Sequence, residues 1–166
     1  MQIPKDTDYF LQHGFRYAYS LCHQTADAED LLHDAWLKLS NGNQKITQAL
    51  LFTCIRNLFI DQYRRNSLIN IDIDLQVSDL PVNDVSFESP ISKDALQQAL
   101  GLLRSAEREI LFLHSVEEYT AAEIAKLTQL SRGTVLSSLY RSKRKLKKIL
   151  SRHYQKSIDS VSGDHL

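Results

Sequence analysis

The sequence predicts an all-α protein: two small helical domains joined by an extended acidic linker, the C-terminal one containing a helix-turn-helix. Three observations carry that prediction. Apolar residues recur at spacings of three and four along most of the chain. Gly (5) and Pro (3) are scarce in 166 residues, which disfavours a turn-rich β protein. The helical period fails from Ser67 to about Ser92, where Pro81 and Pro90 fall and acids gather. The expected layout is a first domain at 1–66, a linker at 67–92, a second domain at 93–156 and a flexible tail at 157–166.

The first helix is expected from about Asp8 to Cys22, on the recurrence of Phe10, Tyr17, Ala18 and Leu21. In the second, Ala28, Leu31, Leu32, Ala35, Trp36 and Leu39 form an apolar stripe, and Asp27, Glu29 and Asp30 place negative charge in its first turn, where the helix dipole favours it. Ser40-Asn41-Gly42-Asn43 ends it. A third helix, about Thr47 to Arg65, is apolar nearly all round, as expected of a helix buried on more than one side. Between Ser67 and Ser92, Ile71-Asp72-Ile73-Asp74-Leu75 alternates like a strand, but no second strand pattern exists to pair with it. Helical spacing resumes near Lys93 with Ala95, Leu96, Ala99, Leu102 and Leu103, and continues through Ile110, Leu111, Leu113 and His114. A short helix from Ala121 to Leu127 and a long one from about Gly133 to His153 complete the set.

The formal net charge is zero, yet the charges are segregated. Nine basic residues and no acid lie between Arg132 and Lys156, whereas six acids face the single Lys93 between Ser67 and Leu103. A solvated face usually mixes signs, and one uninterrupted sign suits a phosphate backbone. Cys22 and Cys54 sit inside helical patterns and suggest reduced thiols rather than a disulfide framework. The first residues lack a signal-peptide pattern and no apolar run reaches the roughly 18 residues of a membrane span, so a cytoplasmic protein without membrane insertion is expected. No nucleophile motif, phosphate-cradling glycine loop or metal-ligand spacing emerges around His13, Cys22, His23 and His33, and neither an enzyme nor a cofactor or metal is expected.

Three constellations bear on function. The segment Thr120 to Val135 has helix-turn-helix spacing: Ala125 permits close approach, Ile124, Leu130 and Val135 would fill the space between helices, and Ser131 can cap the second helix. Gly133-Thr134 offers a backbone N–H and a hydroxyl at that helix N-terminus, where an anion is favoured. In the second helix Asp27, Asp30 and Asp34 share a face apart from the apolar stripe, which reads as a solvated acidic face or a docking surface for a basic partner. In the third, Leu51 to Arg65 interleaves aromatics with cations, giving stacking faces and charges for a single strand. Core packing of Phe52, Phe59 and Tyr63 is the plainer reading of those rings.

In this order the pieces resemble the extracytoplasmic-function (ECF) sigma factors, minimal two-domain members of the bacterial sigma superfamily. Asp27 to Leu31 with Trp36 and Leu39 resemble the polymerase-docking helix; Arg56-Asn57, Asp61 and Arg64-Arg65 resemble the helix that contacts and melts the −10 element; Glu107-Arg108-Glu109, Glu123-Ile124-Ala125, Gly133-Thr134-Val135 and Arg141 resemble the −35-binding domain. The resemblance spans roughly residues 8 to 152 and implies a factor that directs core RNA polymerase to specific promoters. It implies that Asp27, Glu29, Asp30 and Asp34 bind the clamp coiled coil of the polymerase β′ subunit. Arg56, Asn57, Asp61, Arg64 and Arg65, with the loop Asn41 to Lys45, would bind the −10 element. Arg132, Gly133, Thr134, Ser137, Arg141, Lys143 and Arg144 would bind the −35 element. The β flap and an anti-sigma factor are further implied partners, and the acidic linker would follow the nascent RNA path.

Several positions depart from the family pattern. Leu50 stands in place of Trp, Gln129 in place of the turn glycine, Thr128 in place of an apolar residue, and Leu136 and Ser138 in place of Lys and Arg on the recognition helix. A stand-alone helix-turn-helix regulator and a sigma-like decoy that binds an anti-sigma factor are the alternative readings.

Overall fold

The computed structural model describes residues 6–67 and 91–162, with side-chain surroundings described to Arg152 and again at Gln155. The described residues form seven helices: α1 (Thr7–Cys22), α2 (Thr25–Ser40), α3 (Gln48–Ser67), α4 (Lys93–Gly101), α5 (Ser105–Ser115), α6 (Ala121–Thr128) and α7 (Arg132–Ser162). The all-α prediction agrees with this architecture. Nearly all of the expected acidic linker lies at 68–90, outside the described residues.

Helices α1, α2 and α3 pack mutually into an N-terminal bundle. Its core follows the predicted stripes: Tyr17, Ala18 and Leu21 from α1; Ala28, Leu31, Ala35 and Leu39 from α2; Leu51, Phe52, Cys54 and Ile55 from α3. Gly14 leaves room for this packing: a Cβ there would lie 2.7 Å from Leu32 Cδ1 and 3.0 Å from Leu51 Cδ2, and those methyls would have to shift. The all-round apolarity of α3 is explained by burial against both partners at Phe52 and Ile55, then wanes outward. Tyr63 is 44% exposed rather than a core ring, because α3 has by then run past its neighbours.

In the C-terminal half α7 carries the inner stripe Val135, Leu139, Ser142 and Leu150, and packs on α4, α5 and α6. Ser92 caps α4 by accepting the Ala95 N–H at 3.1 Å. Thr120 and Glu123 form a capping box on α6: the Glu123 N–H donates to Thr120 Oγ1 (3.3 Å), and the Thr120 N–H donates to Glu123 Oε2 (2.8 Å). Helix α7 runs nine residues beyond the predicted stop at His153, to Ser162. No Gly or Pro interrupts the sequence from Thr134 to Ser162, so nothing local ends it earlier.

The two halves are in contact. Helix α5 packs along α1, and α6 touches α3, so one hydrophobic cluster runs through both.

Candidate functional site

The helix-turn-helix is built as the spacing predicts, with two differences. Ile124 and Val135 are fully buried between α6 and α7, but Leu130 is 40% exposed and fills no space there. Gln129 holds the left-handed turn conformation (φ 60°) that a glycine would take without cost. Thr128 is buried in place of an apolar side chain, and its hydroxyl is satisfied by donating to the Ile124 carbonyl at 2.7 Å. Ser131 caps α7 as expected, accepting the Thr134 N–H at 3.1 Å and pairing with the Thr134 hydroxyl at 2.8 Å. That pairing uses the Thr134 N–H within the cap, while the exposed Thr134 hydroxyl keeps hydrogen-bonding capacity beyond Ser131.

The outward side of α7 displays Arg132, Gly133, Thr134, Ser137, Arg141 and Lys143, all exposed, with Arg144 half-buried. The Arg144 guanidinium lies over the Tyr140 ring, 5.5 Å from its centroid. Lys145 pairs with Glu107 at 2.8 Å on the α5 side of the helix, with its side chain still 41% exposed.

On α2, Asp27, Glu29, Asp30 and Asp34 are all exposed, opposite the buried stripe. Leu37 lies on the face of Asp30 and Asp34, at spacings of seven and three, and is 48% exposed. Sequence reasoning passed it over as one more aliphatic residue; its position among the acids was the available signal.

The expected strand-binding residues of α3 divide. Asn57, Asp61, Arg64 and Arg65 are exposed, with Arg65 Nε donating to the Asp61 carbonyl at 3.3 Å. Arg56 points elsewhere: its Nε donates to Glu109 Oε1 at 3.0 Å, across the junction between the halves. Glu109 also accepts the Tyr17 hydroxyl at 2.6 Å. Burial pushes the Glu109 carboxyl above the ordinary range against the opposing pull of Arg56, and burial with the nearby Glu109 charge raises the Tyr17 hydroxyl. The Tyr17 ring stacks on Phe52 with centroids 4.3 Å apart.

Next to Glu109, Arg108 is buried and donates to the α1 carbonyls of Ser20 (2.9 Å) and Leu21 (2.8 Å), and to the Leu103 carbonyl. It thereby satisfies orphan carbonyls at the α1 C-terminus. Glu117 completes the seam, within 2.8 Å of His13 Nδ1 and accepting Gln48 Nε2 at 2.5 Å. The resemblance assigns Glu107-Arg108-Glu109 to the −35-binding domain; within it, Arg108 and Glu109 face the N-terminal half at the junction. Two charges beside the apolar run Ile110 to Leu113 were the signal that these positions face protein.

Both cysteines are free, and no group of three or more His, Cys, Asp and Glu suited to a metal is found among the described residues. No helix among them is long and apolar enough to cross a membrane.

These surfaces coincide with two family matches: Sigma-70 region 2 over residues 9–69, and Sigma-70, region 4 over residues 93–146. The two matches together cover most of the chain, and the chain belongs to the sigma-70 family. Sigma factors are transcription-initiation factors rather than enzymes. Among curated relatives, RNA polymerase sigma factor YlaC of Bacillus subtilis is 24% identical, covering 86% of this chain and 88% of its own length. ECF RNA polymerase sigma factor SigL of Mycobacterium tuberculosis is 28% identical over 80% of each chain. SigE of Mycolicibacterium smegmatis is 27% identical over 89% of this chain, which spans 61% of that longer relative. In fold, the chain is similar to the sigma factor RpoE from Bartonella quintana, solved with the anti-sigma factor NepR (TM-score 0.65, 24% identity, 89% of this chain and 95% of that one).

Proposed function

We propose that this chain is an ECF sigma factor that works through three surfaces, one on each of α2, α3 and α7, and that the junction between its halves must part for the second to act. The acidic face of α2, with Asp27, Glu29, Asp30 and Asp34 around the exposed Leu37, docks on basic residues of the β′ clamp coiled coil. The outward face of α3, with Asn57, Asp61, Arg64 and Arg65, holds the −10 strand. The exposed face of α7, with Arg132, Gly133, Thr134, Ser137, Arg141, Lys143 and Arg144, lies in the −35 major groove. The observation that carries the reading is their distribution: each expected surface lies on a different helix, with its charged groups largely toward solvent and its apolar stripe inward.

Arg56 belongs to the second surface only when released. The Glu109 contact holds Arg56 in the junction, its side chain only 19% exposed, so strand capture competes with that contact. Extruding a base costs a few kcal/mol, and binding at α3 has to offset both that cost and the broken pair. The β flap for the C-terminal half, an anti-sigma factor as regulator, and a cytoplasmic location beside the polymerase complete the proposal.

Duplex binding by the full chain falls steeply with salt in this reading. Four exposed or half-exposed cations, Arg132, Arg141, Lys143 and Arg144, each neutralising one phosphate, give a slope of log affinity against log salt of about −3.6. Titration of fluorescent promoter duplexes between about 50 and 200 mM salt measures it, within the range where phosphate contacts dominate. A flat dependence removes α7 from the DNA.

A further inference from the structure

The outward face of α7 is not purely polar. Leu136 is 45% exposed and Tyr140 62% exposed, one turn apart, along the edge of the buried stripe of Val135, Leu139 and Ser142. Neither helps to fill the core between α6 and α7. Cations surround them: Arg132 and Lys143 lie on the Leu136 flank, Arg141 lies on the other, and Arg144 sits over the Tyr140 ring. The apolar pair therefore occupies the middle of a phosphate-binding surface, in the first turns of a helix capped by Ser131.

The major groove offers one apolar group for such a pair. Guanine presents acceptors there, cytosine an amino donor and adenine one of each, while thymine presents a carbonyl and the C5 methyl. Leu136 has no hydrogen-bonding group and would leave a guanine or adenine edge unsatisfied, which costs more than a missing contact. Against a thymine methyl the same side chain buries hydrocarbon on both sides. Tyr140 brings a ring edge to the neighbouring base step, held in place by Arg144.

We infer that Leu136 is a specificity-determining residue that reads the 5-methyl group of a thymine in the −35 element, with Tyr140 closing the contact. This rests on the proposed entry of α7 into the major groove and assigns the base that it selects. Leu136 stands where the ECF pattern has a cation, and the exchange alters the base preference while Arg132, Arg141, Lys143 and Arg144 retain the grip on phosphate.

The test uses the full chain assembled with core RNA polymerase. Duplexes are selected from a pool randomised across the −35 region, and each enriched thymine is then replaced by deoxyuridine, which removes only the methyl. At one enriched position the replacement weakens binding about fourfold, the value of one buried methyl. In Leu136→Ala the same replacement has no further effect, and Leu136→Arg shifts the selected base there from thymine to guanine, the usual partner of an arginine fork. Leu136 is exposed, so both variants keep the fold. Enriched sequences with no methyl-sensitive thymine, or methyl sensitivity that survives in Leu136→Ala, overturn the inference and leave DNA binding by α7 standing. If no sequence is enriched, the proposed role of α7 fails with it. If Leu136→Ala lowers affinity for core polymerase without changing base preference, the leucine faces a protein instead.

Discussion

Reversing Asp30 and Asp34 to lysine lowers affinity for core RNA polymerase by at least about a hundredfold, because like charges brought together at an interface cost several kcal/mol. Both side chains are exposed on α2, away from the buried stripe of Ala28, Leu31, Ala35 and Leu39. The double variant therefore melts at the wild-type temperature and keeps its helical signal. Surface charges of this kind contribute little to folding, so lost binding with retained folding identifies a docking surface rather than a structural one. Co-sedimentation or fluorescence titration with core polymerase provides the measurement. Unchanged affinity would remove α2 from the docking role.

The second large effect concerns the seam between the halves. Glu109→Ala leaves Arg56 without its carboxylate and Tyr17 with a buried, unmet hydroxyl. Breaking a buried pair by removing one partner costs about 3–5 kcal/mol, far more than the net value of an intact pair. The loss falls on the contact of α5 with α1 and α3, so hydrogen exchange quickens at the ends of these helices and the radius of gyration in solution grows. Glu109→Gln has a smaller effect, since the amide oxygen still accepts from Tyr17. Because Arg56 is released, Glu109→Ala also binds a −10 single strand more tightly than wild type. An unchanged radius together with unchanged exchange in Glu109→Ala contradicts the account of the junction.

Local spacing revealed much of this architecture. The stripes Ala28, Leu31, Ala35, Leu39 and Val135, Leu139 are buried as the helical period requires, and the Ser131 cap was readable from one serine before a helix. Contacts between distant segments were not legible. Tyr17 and Glu109 are separated by 92 positions, and no periodicity pairs them. Arg108 and Glu109 were read as charges of a DNA-binding domain, since a sequence shows that a charge exists and not which carbonyl or hydroxyl receives it. Helix-turn-helix spacing assigns Leu130 an inner role and core packing is the plainer reading of Tyr63, yet both are exposed, as large apolar residues commonly are at helix ends and turns. Exposure also separates Leu37 and Leu136 from the other leucines of their helices: each is apolar within a charged surface, and only the fold shows that nothing covers it.

The acidic face of α2 and the basic face of α7 belong to different halves, so a regulator that only bound DNA would need the second and not the first. A decoy for an anti-sigma factor would need neither to start a transcript. Transcription in vitro distinguishes these directly. Core polymerase is supplied with this chain and a template carrying a duplex selected by the complex, and RNA 5′ ends are mapped. The account predicts transcripts from one discrete start downstream of the selected sequence, dependent on the chain and abolished by the Asp30, Asp34 reversal. Binding to polymerase or to DNA without any chain-dependent start would contradict it.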